Sequence, residues 1–207
     1  MIEDVLAGIR WLGHDGFVIE HDGRILAIDP YQAANPPKAD VICVTHEHFD
    51  HCSVEDIEKM AGPGTVIVTE PMSAAKLSGD VRTVAPGDRV EAAGFTIEAV
   101  PSYNTDKPFH PRENQWLGFV VDVGGTKVYH AGDTDFIPEM ADLDVDIALL
   151  PVSGTYVMDW KQAVEAATAI GPGVAIPMHY GGIVGTAEDA ENFRKELEGV
   201  CQVKILS

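Results

Sequence analysis

Thr45-His46-Glu47-His48-Phe49-Asp50-His51 puts three histidines and one aspartate directly after the apolar run Val41-Ile42-Cys43-Val44. Imidazole and carboxylate groups suit zinc and neighbouring borderline metals. An i, i+2 pair of histidines would face different ways on a helix, so the pattern suits a β-strand that ends in a tight turn. Such a turn can aim His46 and His48 at one ion and Asp50 and His51 at a second. The plain alternative is a solvated histidine-rich loop, but clustered imidazoles ordinarily have a partner.

The chain opens with the strand-like runs IRWLG, GFVIE and RILAID, and His21-Asp22-Gly23 is a hairpin turn signal. VICVT at 41–45 is rich in β-branched residues, as a buried strand requires. Ser53 reads as an N-cap, with Asp56 in the capping-box place, for a helix to about Met60. TVIVT at 65–69 is another strand, followed by a short helix from Pro71 or Met72 to about Leu77, with further strands near 81–84, 89–91 and 94–100. Residues 101–115, PSYNTDKPFHPRENQ, hold three prolines and no periodicity, which predicts a long loop of the kind that often carries function. WLGFVVDV and TKVYH form a hairpin across Gly124-Gly125, and DIALLP is a buried strand. Asp159 begins an alanine-rich helix that Gly171-Pro172 ends after Ile170. GVAIPMH is a strand, Thr186 caps a last helix to Glu198, and CQVKIL is a final strand. Interspersed helices, hairpins and buried runs in both halves predict an α/β (α+β) chain of two packed sheets with helices outside. The length suits a single domain over 1–207.

The hydrophobic fraction is 45%, and no apolar run reaches the ~18 residues of a membrane helix. With 33 acidic and 14 basic residues the formal charge is −19, a field that repels nucleic acid and anionic membranes. A small-molecule substrate is therefore expected, with no nucleic acid and no membrane as partner. A homo-oligomer stays open. The acidic start MIEDVLAG lacks the basic and apolar regions of a signal peptide, so a cytoplasmic location is expected. Cys43, Cys52 and Cys201 form no C-x-x-C pair, which argues against a disulfide scaffold. Cys43 and Cys201 read as core fillers, whereas Cys52, next to His51, could approach the site.

T-H-x-H-x-D-H resembles the signature of the metallo-β-lactamase superfamily. YHAGDT at 129–134 resembles that superfamily's second block, whose aspartate, here Asp133, bridges two metals. PMHYG at 177–181 resembles the last block, whose histidine, here His179, ligates the second metal. WLGHDGFVIE at 11–20 and LAIDPY at 26–31 resemble the openings of a branch that contains the L-ascorbate-6-phosphate lactonase and other metal-dependent hydrolases. The resemblance implies a four-layer αββα sandwich with the site at one sheet edge. It also implies a first metal on His46, His48 and a third histidine, and a second on Asp50, His51 and His179, with Asp133 and a hydroxide between them. The superfamily usually places the third histidine just after the strand that here ends near Val100, where this chain reads PSYNT. His110 is the only histidine of that loop and is assigned to the first metal. The alternatives are a weaker first site with His110 on the substrate, or a surface histidine. His14 and His130 are expected to support a ligand or touch substrate, with a structural hydrogen-bonding role as the alternative. Asp29 is expected to orient a ligand histidine through its ring N–H.

Two divalent ions, zinc first with manganese or iron as alternatives, would lower the pKa of bound water towards ~7. A hydroxide held between them can attack a carbonyl or phosphoryl centre. Asp50 and Asp133 are then the catalytic carboxylates, and Asp50 also orients the nucleophile and shuttles its proton. Neither a G-x-S-x-G elbow nor a P-loop is present. The expected activity is metal-dependent hydrolysis of a small lactone, ester or phosphoester. Because one fold hosts many chemistries, a non-hydrolytic di-iron redox protein and a metal-binding module without turnover remain rivals. Tyr31, Tyr103, Trp116, Tyr156 and Tyr180 are candidate pocket residues, although such aromatics more often serve a core or rim.

Overall fold

The computed structural model describes residues 1–207, and its strands form two sheets. The first sheet follows chain order: β1 (Ile9–Gly13), β2 (Gly16–His21), β3 (Arg24–Ile28), β4 (Val41–Val44), β5 (Val66–Thr69) and β6 (Asp80–Thr83). The second holds β7 (Arg89–Ala92), β8 (Phe95–Pro101), β9 (Leu117–Val123), β10 (Thr126–His130), β11 (Ile147–Pro151), β12 (Val174–Met178) and β13 (Gln202–Val203), also in sequence order. Hairpins build β1–β3 and β7–β10, and parallel pairing extends the sheets through β3–β6 and β10–β13.

Both predicted tight turns form because their residues tolerate left-handed backbone. Asp22 and Gly23 have φ of 48° and 71° between β2 and β3, and Gly124 and Gly125 have 60° and 87° between β9 and β10. These are the values a two-residue hairpin turn with matching twist requires.

Period-two alternation sorts the layers. In β4, Val41 and Cys43 enter the large apolar cluster shared with the second sheet, while Ile42 and Val44 enter a smaller one with Ile57 and Met60 of α2 (Val54–Met60). On the far side, Ala163, Ala166 and Ala167 of α4 (Trp160–Ile170) and Phe193 of α5 (Ala187–Glu196) are fully buried in the large cluster. The layers are thus helix, sheet, sheet, helix, the predicted αββα sandwich. No helix is long and apolar enough to cross a membrane.

Several boundaries differ from the sequence reading. The chain opens with a helix, α1 (Ile2–Gly8), before its first strand, and Val5 and Leu6 are buried in the large cluster. Seven residues are too few for a helix to persist alone, so packing and not local propensity makes it. The helix expected to run to about Leu77 is the single turn α3 (Pro71–Ala74), after which the Lys76 and Leu77 N–H groups bond three residues back. α5 ends at Glu196, two positions before the expected Glu198. CQVKIL pairs only over β13. The Gly173 and Ala175 carbonyls accept from Gln202 and Lys204, so the next position facing β13 is Pro177, which has no N–H to offer. Residues 101–115 form the expected loop, interrupted by a short 3₁₀ turn at Arg112–Asn114.

Candidate metal centre

Parallel pairing brings strand ends of both sheets to one edge. β3 delivers Asp29, β4 delivers Thr45 to His51, β10 delivers Asp133, and β12 delivers His179. The turn between β1 and β2 adds His14 and Asp15, and the loop after β8 adds His110. Two backbone bonds stitch the edge across the sheets. Leu117 N–H donates to the Thr45 carbonyl at 3.0 Å, and His179 N–H donates to the His14 carbonyl at 3.1 Å. His14, Asp29 and His179 have φ of 51°, 44° and 59°, a region non-glycine residues seldom adopt and one that gathers at functional sites.

Hydrogen bonds fix which ring nitrogen faces inward. Asp29 Oδ1 accepts the Thr45 N–H at 2.8 Å, and its Oδ2 accepts the Thr45 hydroxyl at 2.5 Å and His51 Nδ1–H at 2.8 Å. His51 Nε2 is therefore left for the centre. With its proton given to Asp29, Thr45 Oγ1 can only accept from His46 Nδ1–H, at 3.0 Å, which leaves His46 Nε2 as a lone pair. His110 Nδ1–H faces two acceptors, Asn104 Oδ1 at 3.1 Å and the Tyr156 carbonyl at 3.2 Å, and so turns Nε2 inward. His179 Nδ1 bonds Ser153 Oγ at 2.8 Å, which leaves Nε2 on the inner side.

The inward atoms converge on two places. His46, His48 and His110 offer ligand atoms within 4.8 Å of one another, and so do Asp15, His51, Asp133 and His179. His14 forms a similar group with His51 and His179. Asp133 lies between these groups: its Oδ2 is 3.1 Å from His110 Nε2 and 3.3 Å from His179 Nε2, and its Oδ1 is 3.4 Å from His51 Nε2. Asp50 stands at the mouth, 3.1 Å from His14 Nε2 and 4.0 Å from His51 Nε2, outside both groups.

Burial opposes ionisation of Asp133, yet the rings of His179 and His51 hold its carboxyl well below the usual range. Burial would likewise neutralise His51 and His179, but nearby carboxylates hold both above the ordinary histidine value, His179 at about 9. Asp133 acts on both rings, with Asp29 beside His51 and Asp15 beside His179. Burial and neighbouring rings push His46 and His48 down, towards the neutral form that can donate a lone pair.

The donor set fits divalent metal. His46 Nε2 and His48 Nδ1 lie 3.0 Å apart, and the buried His51 Nε2, His110 Nε2, Asp133 Oδ1 and both Asp15 oxygens have no hydrogen-bond partner. Buried polar atoms are normally satisfied, and a cation is the partner that imidazole lone pairs and carboxylates share.

Residues outside the two groups divide by position. His130 is fully buried: its Nδ1 accepts the Gly132 N–H at 3.2 Å and its Nε2–H donates to the Asp15 carbonyl at 2.9 Å, so both nitrogens serve the backbone. Trp116 packs 4.8 Å from the rings of both His46 and His48. Tyr31 reaches the rim against Phe49, and Tyr156 packs on Phe109. Tyr103 donates its hydroxyl to Glu139, and Tyr180 stacks on Trp11. Cys52 packs in the small cluster behind α2, where burial pushes its thiol up, and Cys43 lies in the large core. Sequence reasoning missed Asp15, Thr45, Asn104 and Ser153. Asp15 and Thr45 adjoin quoted histidines, a usable signal, whereas nothing local marks Asn104 or Ser153.

Residues 8–179 match the beta-lactamase superfamily domain. A UPF0173 metal-dependent hydrolase of Methanopyrus kandleri is 34% identical, over 92% of this chain and 91% of its own. A crystal structure from Parabacteroides distasonis superposes with a TM-score of 0.85 at 35% identity, covering 96% of this chain and 93% of that one. A metallo hydrolase from Ignicoccus hospitalis superposes at 0.79 with 26% identity, covering 96% and 94%.

Proposed function

The chain belongs to the beta-lactamase superfamily, and we propose that residues 1–207 act as one metallo-β-lactamase-like domain that hydrolyses a small lactone, ester or phosphoester with two divalent ions. The observation that carries this reading is Asp133, whose carboxylate lies 3.1 Å from His110 Nε2 and 3.4 Å from His51 Nε2, between two sets of inward-facing donors. His46, His48 and His110 would hold one ion. His51 and His179 would hold the other, with Asp133 shared and Asp50 beside them. Zinc suits the histidine-rich set, with manganese or iron as alternatives. Bound there, two such ions supply an activated water near neutral pH and polarise the substrate oxygen.

The chain's own residues do the rest. Asp29 and Thr45 lock the His46 and His51 rings in one tautomer each, so the site is organised before substrate arrives. Asp50, oriented by His14 and reachable from the mouth, accepts the proton of the attacking water and returns it to the leaving group. Phe49 and Phe109 are 67% and 44% exposed beside Asp50 and His110, giving the mouth an apolar rim for the non-reacting part of the substrate.

A hydrolysis screen over lactones, carboxylic esters, thioesters and phosphodiesters with metal-loaded protein tests the reading. Turnover is expected in the wild type and lost in Asp50→Ala. Undiminished turnover in Asp50→Ala would sink the proton-transfer role.

A further inference from the structure

Asp15 is a buried carboxylate that the hydrolytic scheme leaves without a task. It follows His14 in the two-residue turn between β1 and β2, is 0% exposed, and has no hydrogen-bond partner on either oxygen. The fold fixes it on both sides. His130 Nε2–H donates to the Asp15 carbonyl at 2.9 Å, and His179 N–H donates to the adjoining His14 carbonyl at 3.1 Å. An ionised carboxylate locked in the interior is strongly unfavourable unless a cation compensates it, and without one burial and the neighbouring Asp133 hold the Asp15 carboxyl well above its usual value. Its nearest ionic partner is His51 Nδ1 at 4.0 Å, and that N–H is already given to Asp29 at 2.8 Å.

What surrounds the Asp15 oxygens is a ligand set. Asp15, His51, Asp133 and His179 each offer an atom within 4.8 Å of the others. Ligands at about 2.0–2.2 Å on opposite sides of one ion lie ~4.4 Å apart and neighbouring ones lie closer, so the four atoms are near enough to draw together around one ion.

We infer that Asp15 is a further protein ligand of the second metal position, beside His51, Asp133 and His179, and that it biases this position towards oxygen-preferring divalent ions such as manganese. The inference rests on the two-metal reading above. Carboxylate oxygen suits manganese, whereas imidazole suits zinc, so the three-histidine position and the carboxylate-rich position differ in metal preference.

Equilibrium dialysis of the wild type, Asp15→Asn and Asp15→Ser against Mn²⁺ alone and Zn²⁺ alone, with metal counted by mass spectrometry and Mn²⁺ followed by electron paramagnetic resonance, tests this. The wild type should take two equivalents. Both variants should keep the first equivalent, while manganese affinity for the second falls about 10–100-fold and zinc affinity falls less. After chelator treatment the variants should melt no lower than the wild type, because a buried carboxyl without its cation adds nothing favourable to the fold. Unchanged second-ion affinity in both variants would overturn the role of Asp15 and leave the two-metal reading standing. A wild type that binds fewer than two ions would overturn both. Variants that melt lower when stripped, or fail to fold, would also overturn it, since Asp15 would then serve the fold and not the ion.

Discussion

His110 Nε2 lies 3.1 Å from Asp133 Oδ2, so the long loop after β8 meets the turn after β10 at the centre of the site. The loop gains this reach from Asn104, whose side-chain oxygen accepts both the His110 N–H at 2.9 Å and the ring Nδ1–H at 3.1 Å. His110→Ala is expected to lose about one metal equivalent per chain while keeping the fold. Metal analysis with a far-ultraviolet dichroism control checks it, and two retained equivalents would place the third histidine's role elsewhere.

Asp29 touches no inward-facing atom, yet it holds His51 directly and His46 through Thr45. Asp29→Asn should weaken metal binding about 10–100-fold, the usual cost of losing a group that orients metal ligands. Competition with a chromophoric chelator measures the constant, and an unchanged value would show that the rings need no such support.

Gly118 in β9 has room for no side chain. A Cβ there would sit 2.8 Å from the His130 carbonyl oxygen and 3.0 Å from that of Ala131, both backbone atoms just before the Asp133 turn. Gly118→Ala should lose about 1–3 kcal/mol of stability, the ordinary cost of overpacking. Urea unfolding of metal-free protein reads it, and a loss below about 0.5 kcal/mol would mean that β10 yields easily.

Asp56 anchors α2 at some distance from the metal centre. Burial opposes its ionisation, but hydrogen bonds from Ser53, Lys59 and the Gln32 N–H hold its carboxyl below the usual value. A depressed folded pKa gives stability that is fully present above the unfolded value of about 3.9 and is lost as pH falls through the folded one. Asp56→Asn should therefore be less stable than the wild type by about 1–2 kcal/mol at pH 7, with the gap closing below about pH 4. Paired denaturant titrations at the two pH values check the sign, and a gap that widens in acid would reverse the argument.

Much of the candidate site was legible because its residues lie in short blocks at strand ends. Residues 45–51 carry three histidines and Asp50 in one block, and Asp133 and His179 sit in similar blocks. His110 could be singled out only because its loop holds no other histidine. Asn104 and Ser153 were invisible, since their partners lie 6 and 26 residues away and only the fold brings them together. Asp15 adjoins His14 in sequence, but its isolation from hydrogen-bond donors is a property of the packed interior. The hairpin turns were readable because Asp-Gly and Gly-Gly accept left-handed backbone, whereas α1 owes its helix to burial of Val5 and Leu6.

In the proposed mechanism Asp133 joins two metal positions into one hydrolytic site. Counting divalent ions per chain in the wild type and in Asp133→Ala, with hydrolysis measured on the same preparations, tests it most directly. The wild type should hold two ions and turn over substrate, and the variant should hold at most one ion and show no turnover. Two ions and undiminished hydrolysis in Asp133→Ala would contradict it.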